Sequence, residues 1–219
     1  MAGINISIVL LDTPDQIEKK ILKAIAEEFN SLMRQKITNI RGRVRSVTID
    51  YIKTTETYNS LIDGDLAAHF GLPYASRQSM IDAIIEQIGN SIEIIVKPVK
   101  ASGKKFQGGT TINILVKNFS DILSMAEASI PTENGLVLPW LEWLLIRGDR
   151  LIISEHEIHL IRGKGRSDMA IMVKNAAGSW RVPSQYSGTI KDNWLTRALK
   201  VNQDRYLDTI TNILKQELQ

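Results

Sequence analysis

Three histidines, one close pair of aspartates and two glycine–lysine runs are the residues whose types and spacing could do chemistry in this 219-residue chain. His156-Glu157-Ile158-His159 suggests a metal pair, but its neighbours read as a strand, and strand positions three apart point to opposite faces. A helical zinc pair needs i and i+4 spacing. His69, beside Phe70, reads as a half-buried or capping histidine. Asp63-Gly64-Asp65 brings two carboxylates together without a third ligand or a histidine partner, which fits a solvated helix start. The enzyme reading left open is a carboxylate-dependent hydrolase built on Asp63, Asp65 or Asp168. Gly103-Lys104-Lys105 and Gly163-Lys164-Gly165 lack the spacing that wraps backbone amides around a phosphate. The serine-hydrolase elbow G-x-S-x-G is absent. No catalytic, cofactor-binding or metal-ligating residue is assigned, no cofactor is expected, and the chain is expected to act without catalysis.

The elements that position these residues follow from composition and periodicity. A hydrophobic fraction of 43% and a charged fraction of 23% describe an ordinary globular chain that needs no disulfide or metal staple. Cysteine is absent, which removes disulfides, thiolate zinc sites and cysteine nucleophiles, and suits synthesis in a reducing compartment. A formal charge of +3 is too small to imply a nucleic-acid or membrane partner without a clustered patch. Met1-Ala2-Gly3-Ile4 shows no signal-peptide pattern, and no stretch approaches 18 uncharged apolar residues, so no membrane span is expected.

Ile4, Ile6 and Ile8 suit a short opening strand. Thr13-Pro14-Asp15-Gln16 carries a capping box with proline at the first helical position. Ile17, Ile21, Ala24, Ile25, Phe29, Leu32 and Met33 then recur at helical spacing, interrupted by Glu28, which predicts a helix of roughly 20 residues that buries Ile21 and Ile25. Arg34, Lys36, Arg41, Arg43 and Arg45 follow without an acid, and lead towards Val44, Val47 and Ile49 as a strand or extended arm. Short helices are expected around Leu61–Phe70, from Ser76 to Gly89, over Pro139–Ile146 and over Asp192–Lys200. Ile92–Val96 and Thr110–Val116 read as a hairpin whose tip, Val99–Gly109, is long, basic and mobile, with Gly108-Gly109 as turn residues. Arg150–Ile161 and Met169–Val173 are strands, Trp180–Thr189 is an extended arm, and Gln203–Leu218 is helical.

The fold class expected is therefore α+β: a long N-terminal helix packed on a mainly antiparallel β-sheet body, with short helices and a C-terminal helix. Residues 1–200 form one structural domain, and 201–219 a helix available as an inter-subunit extension. The basic segments 34–45 and 97–105 could touch phosphates, so a nucleic-acid-binding module using 34–45 stays open as an alternative. Trp140, Trp143, Trp180 and Arg181 are candidate interface anchors, because tryptophan and arginine dominate interface hot spots, although the Trp140–Trp143 pair is more often core and Trp180 is nearly as readily so. Lys104 and Lys105 join them as an exposed basic tip.

Leu138-Pro139-Trp140-Leu141-Glu142-Trp143-Leu144-Leu145 is followed by a hydrophobic strand and by Gly165-Arg166-Ser167 with Ala170-Ile171-Met172. Trp180-Arg181-Val182-Pro183, Ser187-Gly188-Thr189 and Asn193-Trp194-Leu195-Thr196-Arg197-Ala198-Leu199 come next. This succession resembles virion proteins of tailed bacteriophages of the neck, head–tail connector or tail-completion kind, over roughly Thr57 to Lys200. The resemblance implies a cofactor-free subunit of a six- or twelve-fold ring between portal and tail. It would be assembled in the host cytoplasm and carried in the virion. Portal, adaptor or tail-tube proteins would be its neighbours, with DNA only as passing cargo.

Overall fold

The first helix begins where its capping box sets it and continues for twice the predicted length. The computed structural model describes residues 11–115, 118–132 and 135–219, so the expected opening strand at Ile4–Ile8 lies outside the described residues. Helix α1 spans Pro14–Lys53; Gln16 N donates to Thr13 Oγ1 at 3.4 Å and Thr13 N to Gln16 Oε1 at 2.8 Å. Forty residues make a rod about 60 Å long at 1.5 Å per residue. The basic run 34–45, expected to lead into a strand or extended arm at Val44, Val47 and Ile49, is instead the middle of α1, and those three residues are helical with it. Arginine and lysine are good helix formers, and this run contains no proline.

The chain continues through α2 (Glu56–Asp63), α3 (Asp65–Phe70) and α4 (Arg77–Asn90). Gly64 separates the first two of these, and Gly71 closes α3 in the left-handed region. Strands β1 (Glu93–Ser102) and β2 (Lys105–Asn113) follow, then α5 (Ser120–Leu123) and a single 3-10 turn at Ala126–Ala128. Next come β3 (Ile130–Pro131), β4 (Val137–Leu138), α6 (Trp140–Leu145), β5 (Leu151–Leu160), β6 (Ala170–Arg181), α7 (Trp194–Lys200) and α8 (Gln203–Glu217). The fold is α+β, and its strands form three antiparallel two-stranded sheets among the described residues.

Two hydrophobic cores share α1. The larger gathers Ile49 and Ile52 of α1 with Leu61, Phe70, Ile81, Ile84, Trp140, Leu144, Trp180 and Trp194. The smaller joins Met33, Ile40 and Val44 to Ile92 and Ile94 of the β1 end and to Tyr206 and Ile210 of α8. Helix α8 therefore lies on its own α1, fixed at one end by Arg43 Nη1 donating to Glu217 Oε1 at 3.0 Å and near the other by Thr48 Oγ1 and Tyr206 Oη at 2.7 Å.

Two expectations fail here for identifiable reasons. Ile21 and Ile25 are not buried: they are 53% and 49% exposed. A second stripe, Leu22, Ala26, Phe29 and Met33, is the one turned towards the β1–β2 hairpin. The hairpin tip is not a long loop either. Paired residues run through Lys100↔Gln107 to Ser102↔Lys105, leaving only Gly103 and Lys104 as the connection. Gly103 at φ +61° supplies the positive φ that a two-residue turn needs at its first position. Gly108-Gly109 serves a bulge rather than a turn, since a Cβ on Gly108 would lie 2.4 Å from the Pro98 carbonyl oxygen.

Large-to-small substitution separates the two stripes of α1. Ile40, fully buried, should lose about 2–5 kcal/mol when changed to alanine, whereas Ile25→Ala should change stability by less than about 0.5 kcal/mol. Urea unfolding of the two variants measures the contrast.

Candidate functional site

The residues singled out by type fall in three separate places. Trp140 opens α6, is fully buried, and donates Nε1 to the Glu127 carbonyl at 2.9 Å while its ring meets Phe70 at 5.8 Å. Trp143, one turn on, is 5% exposed with the Arg147 guanidinium over its ring at 4.6 Å. Trp180, near the end of β6, is 7% exposed and packs edge-on against Phe70 at 5.5 Å and His69 at 5.8 Å. All three belong to the chain's own core, so none is presented on the surface as an anchor. Arg181, Lys104 and Lys105 are exposed, with Lys104 paired to Glu18 at 3.0 Å.

The expected extended arm at Trp180–Thr189 instead folds back. Val182 and Tyr186 are buried, and Tyr186 Oη donates to Glu56 Oε1 at 3.1 Å. Gly188 N donates to the Trp143 carbonyl at 2.8 Å, an approach so close that a Cβ there would lie 1.9 Å from the Leu144 oxygen. Proline-biased extension was visible in the sequence; the glycine that lets the segment return to α6 was the overlooked signal.

The polar candidates resolve into structural pairs. Asp63 Oδ1 accepts from Arg77 Nη2 at 3.4 Å, and Arg77 Nη1 donates to the Ser167 carbonyl at 3.1 Å. A nearly buried guanidinium thus binds Asp63 and the turn before Asp168, supplying the positive charge that a cation would bring. Asp65 begins α3, and Asp168 holds a left-handed turn position at φ +63°. His156 Nδ1 bonds the Ser154 carbonyl at 2.9 Å, while His159 Nε2 bonds Glu157 Oε1 at 2.6 Å, so the two imidazoles have separate partners. The His159 bond, followed by one from Asn175, holds the Glu157 carboxyl below the usual carboxylate range. Among the described residues no group of three histidine or acidic side chains is placed to hold a metal. In the 34–45 run, Arg43 is paired with Glu217 and Arg45 with Glu86 and Asn90, while Arg34 and Arg41 are exposed and Lys36 is half-buried.

A different surface emerges from the packing. The N-terminal half of α1 and the β1–β2 hairpin form an arm, joined where Asn30 Nδ2 donates to the Val99 carbonyl at 2.8 Å and Val99 N donates to Asn30 Oδ1 at 2.7 Å. This pair of bonds imitates a neighbouring strand beside the Pro98 bulge. Above it, Lys104–Glu18 ties the tip to the helix, and an open groove of about 550 Å³ lies between Lys19, Lys23, Pro98 and Lys100. Ile21 and Ile25 on the helix and Ile95 and Phe106 on the hairpin stay exposed. The β5–β6 hairpin likewise exposes Leu151, Leu160, Met172 and Val173. A two-stranded sheet has an unpaired edge on each side, a template for another chain unless something covers it. Such an arrangement suits association rather than the enclosure of a small molecule.

Trp180→Ala should cost about 3–5 kcal/mol in thermal or urea unfolding, and Arg181→Ala less than about 0.5 kcal/mol. His69 provides a pH signature. Burial pushes its imidazole below the ordinary value of 6.5, partly opposed by Asp65. The unfolded chain then takes the proton first, so this contribution is whole above pH 6.5 and is lost as pH falls from there towards the folded pKa. Stability should therefore drop more steeply on acidification through that window in the native chain than in His69→Gln. Comparison with protein-family models, curated proteins and solved structures finds no match to this chain.

Proposed function

We propose that this chain is a structural subunit of a tailed-bacteriophage virion, forming a ring in the head–tail neck as a tail-completion or connector protein. It works by assembly and not by catalysis. The single observation that supports assembly is the incompletely covered arm: Ile21 and Ile25 stand half-exposed on a helix whose other stripe is packed, beside a two-stranded sheet. An amphipathic helix with a second apolar stripe in water gains by burying it against another molecule, at about 25 cal/mol per Å². The station in the virion rests on the resemblance of the 138–199 run to neck proteins. In this reading the partners are further copies in six- or twelve-fold rings, then portal, adaptor or tail-tube proteins on either side. DNA only passes through.

Electron microscopy of the purified chain, classed by rotational symmetry, tests the proposal. Closed rings are expected, and immunogold labelling of virions that contain the chain should mark the head–tail joint. Particles that remain monomeric at all concentrations, or label elsewhere, overturn it. Ile21→Asp with Ile25→Asp should keep the melting temperature of the subunit within about 2 °C while shifting the population towards smaller species, because exposed substitutions barely alter monomer stability.

A further inference from the structure

We infer that copies of this chain join head to tail by strand addition, the outer edge of β5 in one copy pairing with the outer edge of β2 in the next. The inference rests on the assembly reading above and names the partner surface: a second copy of this chain.

The β1 side of its hairpin is closed by α1 and by the two Asn30 bonds to Val99. Among the described residues, strand β2 pairs only with β1, and no other main-chain bond reaches it. Among the described residues, strand β5 pairs only with β6; apart from the Ser154 carbonyl, which His156 Nδ1 bonds at 2.9 Å, no further bond to its main chain is made. Both strands are nine or ten residues long, so their edges are of similar length, each interrupted: β2 at Gly108-Gly109 and β5 at Glu155, which has φ +56°. Each also carries exposed apolar side chains: Phe106 on β2, Leu151 and Leu160 on β5.

Charge then selects the pairing. The β1–β2 hairpin carries Lys97, Lys100, Lys104 and Lys105 against Glu93 alone. Strand β5 carries Glu155 and Glu157 and no lysine or arginine, whereas β6 carries Lys174 and Arg181 and no acid. The open β2 strand itself bears Lys105, beside Lys104 in the turn; lysine at an open edge disfavours pairing with an identical edge, and two acidic β5 edges repel one another. The basic β6 is the wrong complement for β2. The pairing of β2 with β5 is the one that sets acid against base. It is heterologous, because the two strands belong to different parts of the fold: β2 to the arm, and β5 to the sheet that packs against α3 through β6. Heterologous contacts close into rings or run on as filaments, whereas a self-complementary patch stops at a dimer.

The test is a charge exchange on the full chain, read by light scattering after size exclusion. Lys100→Glu with Lys105→Glu, and separately Glu155→Lys with Glu157→Lys, should each raise the concentration for half-assembly at least about tenfold, since like charges across an interface are strongly unfavourable. Melting temperatures of the subunits should hold. Mixing the two variants should restore association between unlike partners, and amides of 105–113 and 151–160 should become protected from hydrogen exchange on assembly. If the native chain assembles and both variants assemble equally well, or if their mixture is not rescued, strand addition is wrong while the ring reading stands. If Lys174→Glu alone blocks assembly, β6 is the partner edge and the inference is overturned. A native chain that stays monomeric at every concentration removes both.

Discussion

The packing of one face of α1 is the interaction on which the remaining structure depends. Ile40 and Val44 seat the hairpin and α8, and a turn later Ile49 and Ile52 enter the larger core with α2, α4 and the tryptophans. Between them Thr48 returns its hydroxyl to the Val44 carbonyl at 2.8 Å and contacts Tyr206 Oη, so a polar group sits at the junction without an unpaired oxygen. Neither core closes without this stretch. Helix α4 comes close enough that a Cβ on Gly89 would lie 2.9 Å from the Ile49 side chain, and an unbroken helical backbone through Arg45 and Ile49 is what makes that approach possible.

The same constraint explains what could be read from the sequence. The capping box at Thr13 is local chemistry, complete within four residues, and it was legible. The end of α1 was not. The acids that neutralise Arg43 and Arg45, Glu217 and Glu86, lie 174 and 41 residues away, so the run looked unpaired and unlike a helix. The apolar pattern of residues 17–33 contains two stripes one residue out of register, Ile21–Ile25 and Leu22–Ala26–Phe29–Met33. Periodicity cannot say which one meets a partner that lies far along the chain. Pro98 and Gly108-Gly109 read as loop because a bulge uses the same residues as a turn. Tryptophan identity alone gave no choice between core and interface, and burial decided it for Trp140, Trp143 and Trp180.

Arginine does in the larger body what α1 does for the whole. Arg77 stacks on Tyr74 at 5.0 Å while bonding Asp63 and Ser167, and Arg166 donates to the carbonyls of Gly71 and Pro131. Two forked side chains therefore tie the 162–169 connection to α2, α3, α4 and the short β3 strand. This matters because the neighbouring interior leaves some polar groups unmatched: Nε1 of Trp143 and Trp180 and Nδ1 of His69 are buried without hydrogen bonds. Each such group is costly, and the offset comes from aromatic contact area around Phe70 together with these guanidinium bridges.

The half of α1 beyond its core-packed section is also a mechanical lever. From Met33 back to Pro14 the helix runs roughly 29 Å at 1.5 Å per residue, and Asn30 and Glu18 fasten the hairpin to it. A tilt of about 5° at a fulcrum near Met33 would sweep the tip by roughly 2.5 Å, an amplitude that follows from the length of the rod alone. In the assembly proposed above, such a lever would let each copy absorb small differences in curvature or in the spacing of its neighbours by pivoting, while the body that carries the aromatic core stays in place.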